Sequence, residues 1–505
     1  MPEMVGQDMV TGMGFIGTEP GLYRMTPPSL AERLKIKFKE SATGERFSSF
    51  FYNLSEKDTD VGERRNASVG LSCTPSTDKV LGQDDFASFN AFFIRDCNFI
   101  VKDNGQKIPI ALDGDKNFSR TGKVDVGVLT PPLYYGIERV TNWEIWHLSD
   151  KPLPGLVLMP HCRDNKGKPM GYGIVPKYYA GKIDGILYGS SGLPVNNFTS
   201  YQSLHTEMEK KGPGYVGGGS ERSIYLKTML RIKYAVSSSQ KIFKGCTECN
   251  YQYAAAEAAT GVNYITLAKS QANAFYAGCT VSIGEAGSNT NLDRGQWHMR
   301  NIADKVRVTK IEAVDDTYSR VYVDAGPFDI TTTTYISSMP LHSGQTDSVI
   351  GNDGYVLNDG KHSFKIQGAE EGIGAYFVSS NEVMNKETAT KTVFYHRNFG
   401  DYTTDLASIL GNWKKIGDFE SENSSDVWIG DVDIDLDTGA EVIRTAGSEN
   451  TSGTGDRYYF GGTGTGLREH LSRGCLRFWS GAGLSCLVGG GGLSTGNWYY
   501  AACVS

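Results

Sequence analysis

Polar and apolar positions change period several times along this chain, and the changes divide it. At Leu34, Ile36 and Phe38, apolar side chains alternate with Arg33, Lys35, Lys37 and Lys39, the period of two expected of a strand with one buried face. Strand signals recur over residues 50–54 and 91–101, and at 107–112 beyond the Asp103-Asn104-Gly105 turn; an Asn-Gly pair between apolar runs is a strong hairpin signal. Residues 28–120 are therefore expected to form a β domain. The preceding Met- and Gly-rich stretch, 1–27, shows no sustained period and reads as an extended docking arm. Short strands continue at 124–129, 143–147, 156–159 and 183–188.

The period changes after Asn197. Thr199 or Ser200 is placed to cap a helix running to Gly212, and the glycine-rich stretch 212–219 separates it from a second helix over 220–236. In the second helix Tyr225, Met229, Ile232 and Val236 recur at spacings of three and four, a stripe expected to face the core. From 244 to about 430 the strand period returns. Val306, Val308 and Ile311 are followed, beyond the Asp315-Asp316 turn, by Val321 and Val323. Phe364 and Ile366, residues 376–378 and residues 393–395 then repeat the signal, and the spacing suggests a small barrel or sandwich.

Composition narrows the class. The chain has 505 residues with 61 glycines and 17 prolines; glycine above the usual ~7 % without a repeat argues for many tight turns and a mainly β fold with a few helices. The length suggests about three domains. A net charge of -7 gives no basic footprint for nucleic acid or an anionic membrane, and no apolar run is long enough to span a bilayer. The start, MPEMVGQDMV, lacks the basic and apolar regions of a secretion signal, so the product is expected to stay in the cytoplasm where it is made until lysis releases it. Nine cysteines, an odd number widely scattered, read mostly as buried thiols rather than a disulfide framework.

Candidate chemistry is sparse. Cys246 and Cys249 have zinc-like spacing, but Cys279 and His298 do not supply a second pair, and buried thiols on a strand turn are the preferred reading. Asp431, Asp433, Asp435 and Asp437 alternate with apolar residues and would line one face of a strand. Counting from Asp433, positions six and twelve hold Thr438 and Arg444 rather than the glycine and glutamate of an EF-hand; a solvated face is preferred, with a calcium site of another geometry left open. Gly189-Ser190-Ser191-Gly192 is not a nucleophile elbow, and Gly217-Gly218-Gly219-Ser220 lacks the lysine of a phosphate loop. No catalytic residue, cofactor or metal ligand is assigned, and the chain is not expected to be an enzyme.

The C-terminus is the exception to this plainness. Residues 471–505 crowd Phe478, Trp479, Trp498, Tyr499 and Tyr500 among glycines, where chains usually become polar and frayed. Such rings serve either as core or as a recognition surface, since Tyr and Trp offer large contact area for few frozen torsions. The series Arg473-Gly474, Ala482-Gly483-Leu484, Leu493-Ser494, Trp498 and Ala501-Ala502 resembles the end of tailed-phage proteins with a C-type-lectin fold of the formylglycine-generating-enzyme-like type. In some members of that family this segment is diversified by retroelements. On that resemblance Gly474, Ala482, Gly483, Leu484, Leu487, Leu493 and Trp498 are frame. Arg477, Phe478, Trp479, Ser485, Thr495, Asn497, Tyr499 and Tyr500 face a ligand, with Arg477 and Asn497 giving directional hydrogen bonds.

The resemblance widens upstream. Residues 227–240 with Gly245-Cys246-Thr247, residues 270–272 leading to 278–284, and residues 346–348 with 351–354 are similar to structural proteins of phages that infect gut Firmicutes. It implies that 121–243 and 431–505 are two halves of one lectin-like domain, with 244–430 inserted between them. It further implies a virion-surface protein on a tail or head fibre that binds a host or environmental glycan or protein. Expected partners are other virion proteins and copies of itself, trimers being favoured, with neither nucleic acid nor membrane insertion. A purely structural decoration or baseplate protein is the alternative. A formylglycine-generating-type enzyme would need a closely spaced thiol pair, and Cys475 and Cys486 are eleven residues apart.

Overall fold

A computed structural model describes residues 44–52, 62–164, 166–387, 391–396, 402–420, 426–460, 464–477 and 479–505, together with three N-terminal strands. The fold is mainly β with few helices. The expected strand around Leu34, Ile36 and Phe38 lies outside the described residues. The stretch read as an extended arm holds strands Met4–Asp8, Met13–Glu19 and Leu22–Arg24, paired antiparallel in a three-stranded meander. Its glycines permit that pairing without leaving an apolar period to read. Among the described residues no helix is long and apolar enough to cross a membrane.

The N-terminal half is built on two antiparallel sheets. One has Trp143–Ser149 between Tyr134–Val140 and Phe47–Tyr52, and the other has Arg95–Val101 between Lys107–Leu112 and Asp125–Thr130. The hairpin joining residues 101 and 107 turns at Gly105, whose φ of 73° is open to glycine at little cost. One apolar core, containing Phe47, Phe86, Phe92, Trp146, Tyr225, Met229, Phe364 and Leu484, crosses the boundary expected at residue 120.

The two expected helices are Tyr201–Glu209 and Ser220–Tyr234. Ser200 caps the first, its hydroxyl accepting from the Ser203 amide at 3.0 Å while the Ser203 hydroxyl accepts from the Ser200 amide at 2.8 Å. This reciprocal pair satisfies two donors that a helix start leaves open. The second helix differs from an amphipathic stripe: every one of its residues is buried, its charged ones included. Arg222 pairs with Glu371 and Lys227 with Glu441. Arg231 stacks 4.3 Å from the Trp146 ring and lies 3.9 Å from Glu144. Lys233 bonds Asp353, Asp84 at 2.9 Å and Gln367 at 2.8 Å. The polar side of this helix is thus not a solvent face but an ion-pair spine through the molecule.

The stretch expected as an insertion holds a six-stranded antiparallel sheet, with Gln252–Ala254 and Tyr264–Ala268 at its edges. Its last strand is Thr334–Ser338, so it ends far short of residue 430. Tyr376–Lys386, expected within the insertion, instead pairs with Gly466–Ser472 on one side and runs parallel to Tyr500–Ala501. It is central to a nine-stranded sheet that also holds Lys391–His396, Lys414–Glu420, Asp426–Ile434 and Glu441–Ala446. All eleven residues of Tyr376–Lys386 are buried, and a fully buried strand carries no alternation to reveal which sheet it joins.

Candidate functional site

The C-terminal segment is held from below by backbone geometry. Strand Gly466–Ser472 ends at Arg473, whose φ of 67° turns the chain. The cost of that left-handed backbone is met by a buried network: the Arg473 Nε donates to Glu371 at 3.1 Å and its Nη1 to Ser223 at 2.9 Å. Gly474 then packs on Ala482, where an added Cβ would lie 2.0 Å from the Ala482 Cβ. Gly474→Ala is expected to cost about 1–3 kcal/mol by overpacking, measurable as a lower urea midpoint with an unchanged slope. The buried Asp456 carboxylate accepts from the amides of Gly483 at 2.7 Å and Ser485 at 2.8 Å, fixing the next turn. Leu487–Val488 returns to the sheet beside Leu471 and Ser472.

From this frame the chain emerges twice. Arg477 is exposed, and Trp479 is 62 % exposed with φ 56°, a conformation uncommon for a bulky residue. Its backbone is clamped on both sides: the Trp479 amide donates to the Thr247 carbonyl at 3.2 Å and its carbonyl accepts from Gln240 Nε2 at 3.4 Å. The second emergence is the 494–497 loop, where Thr495 is exposed and Asn497 half-buried. Gly496 lets this loop lie on Phe198, since a Cβ there would be 2.3 Å from the Phe198 carbonyl oxygen. The two emergences meet at the Tyr499 hydroxyl. Arg477 Nη2 donates to it at 2.5 Å and Asn497 Nδ2 at 3.0 Å, with the guanidinium 4.2 Å from the ring centroid.

The structure therefore divides the expected ligand-facing set. Arg477, Trp479 and Thr495 reach solvent, and Asn497 reaches it in part. Ser485 is buried, its amide used by Asp456. Tyr500 is buried because its backbone pairs with Tyr376 and its ring packs on that residue's ring at 6.0 Å. Tyr499 is buried too, as the floor that orients Arg477 and Asn497 rather than as a surface. Phe478 lies outside the described residues. Of the frame positions, Ala482, Leu484, Leu487, Leu493 and Trp498 are all buried.

A loop remote in sequence completes this face. The Arg294 guanidinium covers the Trp498 ring at 4.6 Å and donates to the Ser338 carbonyl at 2.8 Å. Asp293 and Arg294 belong to the loop between strands Thr280–Glu285 and Ala303–Ala313, and nothing in a linear reading of 471–505 points to residues some two hundred positions away. The available signal was a tryptophan, Trp297, flanked by the polar Gln296 and His298 where no strand period runs.

The other candidate chemistry resolves into structural roles. All nine cysteines are free thiols, eight of them buried. A hydrogen bond between Cys246 and Cys249 raises the first thiol and lowers the second. Cys475 and Cys486 both lie near the Tyr376 hydroxyl, and burial pushes Cys475 up. The four aspartates do not form one solvated face. Asp431 is buried between Arg139 at 3.1 Å and Arg444 at 2.8 Å, Asp433 lies 3.4 Å from Arg139, Asp435 bonds Lys414 at 2.6 Å, and Asp437 pairs with Arg163. Each carboxylate thus already has a cation of the protein beside it. Among the described residues the one group close enough to share a metal is Cys73, Asp84 and Asp353, and the Lys233 amine bonds both of its carboxylates. No protein-family model and no curated protein matches this sequence.

Proposed function

We propose that this chain is a surface protein of a tailed-phage virion, on a tail or head fibre, that binds a glycan or protein ligand through a lectin-like C-terminal face. The observation that carries the reading is Trp479: a large aromatic side chain, mostly exposed, held in a left-handed backbone by bonds from Thr247 and Gln240. Strain and exposure at a bulky ring have no packing benefit, and such positions concentrate at binding sites. Near it in the sequence, Arg477 is exposed and Asn497 half-buried, and both donate to the one Tyr499 phenol. The chemistry is stacking plus oriented hydrogen bonds, with no covalent step.

A shallow face of this kind binds weakly as one copy. Affinity on a particle would come from many copies through effective concentration, which fits assembly as a homo-oligomer, trimers being favoured, attached to other virion proteins. The competing reading, a structural decoration or baseplate protein, draws on exposed apolar side chains elsewhere, notably Val80, Leu81 and Leu357.

One experiment separates the two. Binding of the purified protein to cells of candidate hosts is compared with that of Trp479→Ala and Trp479→Ala/Asn497→Ala. The expected result is a loss of about tenfold or more in affinity with thermal unfolding unchanged, because Trp479 makes few core contacts. Equal binding by the variants, or none by the wild type, favours the structural reading.

A further inference from the structure

We infer that Cys246 and Cys249 are a modification site: a dithiol that a peroxide closes to a disulfide, locking the turn that holds Trp479. The first observation is the turn itself. The Thr247 and Glu248 amides, between the two cysteines, both donate to the Gly360 carbonyl, at 3.0 and 2.8 Å, so one acceptor gathers the turn. The thiols at its two ends are hydrogen-bonded to each other. Both are buried, but the turn lies at the surface, with Glu248 half-buried and Asn250 exposed beside them. Among the described residues no third ligand joins the pair, and zinc takes four. Two thiols in contact across a tight turn are instead one oxidation step from a disulfide.

The second observation is the setting of Cys249. The hydrogen bond from Cys246 holds its thiol below the ordinary value against the effect of burial; the charges of Lys361 and Arg294 act in the same direction and that of Asp359 in the other. The same bond, with burial, raises Cys246. Elsewhere burial pushes Cys73, Cys162 and Cys279 up to about 12 and also raises Cys97, Cys475 and Cys503. Of these thiols Cys249 is therefore the one best able to act as a thiolate, and the thiolate is the nucleophile. Its Sγ attacks one oxygen of hydrogen peroxide, the O–O bond breaks, and the departing hydroxide takes up the proton that the thiol has lost, giving water and a sulfenic acid. Cys246 Sγ then attacks Cys249 Sγ, the S–O bond breaks, and hydroxide leaves with the Cys246 proton as a second water. Two thiols lose two electrons while one peroxide is reduced to two waters.

The third observation is what the turn carries. The Trp479 amide donates to the Thr247 carbonyl at 3.2 Å, and the Cys249 amide donates to the Leu476 carbonyl at 3.1 Å. These two bonds seat the chain on either side of Arg477, which is exposed. A disulfide adds a covalent closure to a turn otherwise held by hydrogen bonds, so both seats lose freedom on oxidation. Neither step depends on what Trp479 binds.

The test treats the folded full chain with a small excess of hydrogen peroxide, blocks the remaining thiols with iodoacetamide and maps the tryptic peptides by mass. Residues 245–269 form one such peptide, which holds Cys246, Cys249 and no other cysteine. It is expected to be the first cysteine peptide to escape alkylation, about 2 Da lighter than the dithiol, and to regain alkylation after dithiothreitol. Cys246→Ser should stop the reaction at a Cys249 sulfenic acid that dimedone traps, and Cys249→Ser should slow oxidation of this peptide about tenfold or more. The wild-type map decides the matter even where a serine variant fails to fold. In the oxidised wild type, hydrogen exchange at the Trp479 amide should slow about threefold or more. No disulfide within 245–269, a bond from Cys246 or Cys249 to Cys279 instead, or equally fast oxidation of the other cysteine peptides overturns the inference. Unchanged or faster exchange at Trp479 in the fully oxidised protein overturns the link to that residue. No arm of the test uses a ligand, so the ligand-face reading stands or falls separately, on cell binding by Trp479→Ala.

Discussion

Lys227→Met is expected to destabilise the protein by about 3–5 kcal/mol, because it strands a carboxylate in the core. Lys227 and Glu441 are both buried and bonded to each other, and the second Glu441 oxygen has no hydrogen-bond partner. Removing the amine leaves that charge with neither water nor a direct counter-ion. The double variant Lys227→Met/Glu441→Leu removes both charges and fills the space with apolar groups, and it should recover most of the loss, since a buried pair is worth little against a packed apolar replacement. Urea unfolding of the wild type, both single variants and the double variant gives the coupling energy directly. Single variants that lose less than about 1 kcal/mol would mean that water reaches the pair. The result matters beyond stability. Glu441 starts the strand Glu441–Ala446, and the turn before it packs on the same helix, with Ser220 Oγ donating to the Thr438 carbonyl at 2.8 Å. The pair therefore locks the sheet that carries the C-terminal face onto the central helix.

That helix also shows where linear reading reaches its limit. Its boundaries were legible from the glycine hinge before it and its spacing of apolar residues, just as the earlier helix was legible from Ser200 and several strands from their period of two. The fate of Arg222, Lys227, Arg231 and Lys233 was not. Their counter-charges at Glu371, Glu441, Glu144 and Asp353 lie scattered across the chain, and a charged helical face with distant partners reads locally like one facing water. Tyr376–Lys386 illustrates the same limit for sheets: its burial on both faces removes the alternation that assigns a strand to a layer.

In the C-terminal segment, residue type identified which side chains are suited to recognition but not which of them the backbone exposes. Trp479 and Trp498 are the same residue in similar glycine-rich surroundings. One is mostly exposed and the other lies beneath Arg294, a contact with a loop some two hundred residues upstream that no spacing within 471–505 encodes. Ser485 and Tyr500 were lost from the ligand-facing set for the same reason, their surroundings being supplied by Asp456 and by Tyr376.

Glu469→Gln should make the protein markedly more stable at pH 8 while changing little near pH 4. Glu469 is fully buried in the strand Gly466–Ser472, and neither carboxyl oxygen reaches hydrogen-bond geometry. Burial pushes its carboxyl up to about 9, and the nearby amides of Tyr201 and Thr495 offset only part of that. Below the ordinary carboxylate range, folded and unfolded chains both hold this proton and its titration costs nothing. As pH rises past about 4.5 the unfolded chain releases the proton while the folded chain keeps it, so stability falls by about 1.4 kcal/mol per pH unit until the folded group ionises. Glutamine keeps the shape, stays neutral at every pH and removes that slope. Burial also pushes Asp456, Glu370 and Glu144 up, each to about 7, which adds a downward trend to that point; buried His161 and His205, pushed down to about 3 and about 4, add an upward one that ends near the ordinary histidine value, and the wild type and the variant share both. Lys365, pushed down to about 8 by burial, acts with the opposite sign above it. The interval from about pH 7 to 8 therefore isolates Glu469: wild-type stability should still be falling there, and that of the variant should be nearly level. Parallel curves would show that Glu469 ionises at an ordinary carboxylate pH. The site has a functional bearing, because the Glu469 amide donates to the Gly491 carbonyl at 2.9 Å and its carboxyl lies under the loop that presents Thr495 and Asn497. On the ligand-binding reading proposed above, binding through Asn497 should weaken along with stability as the carboxyl ionises.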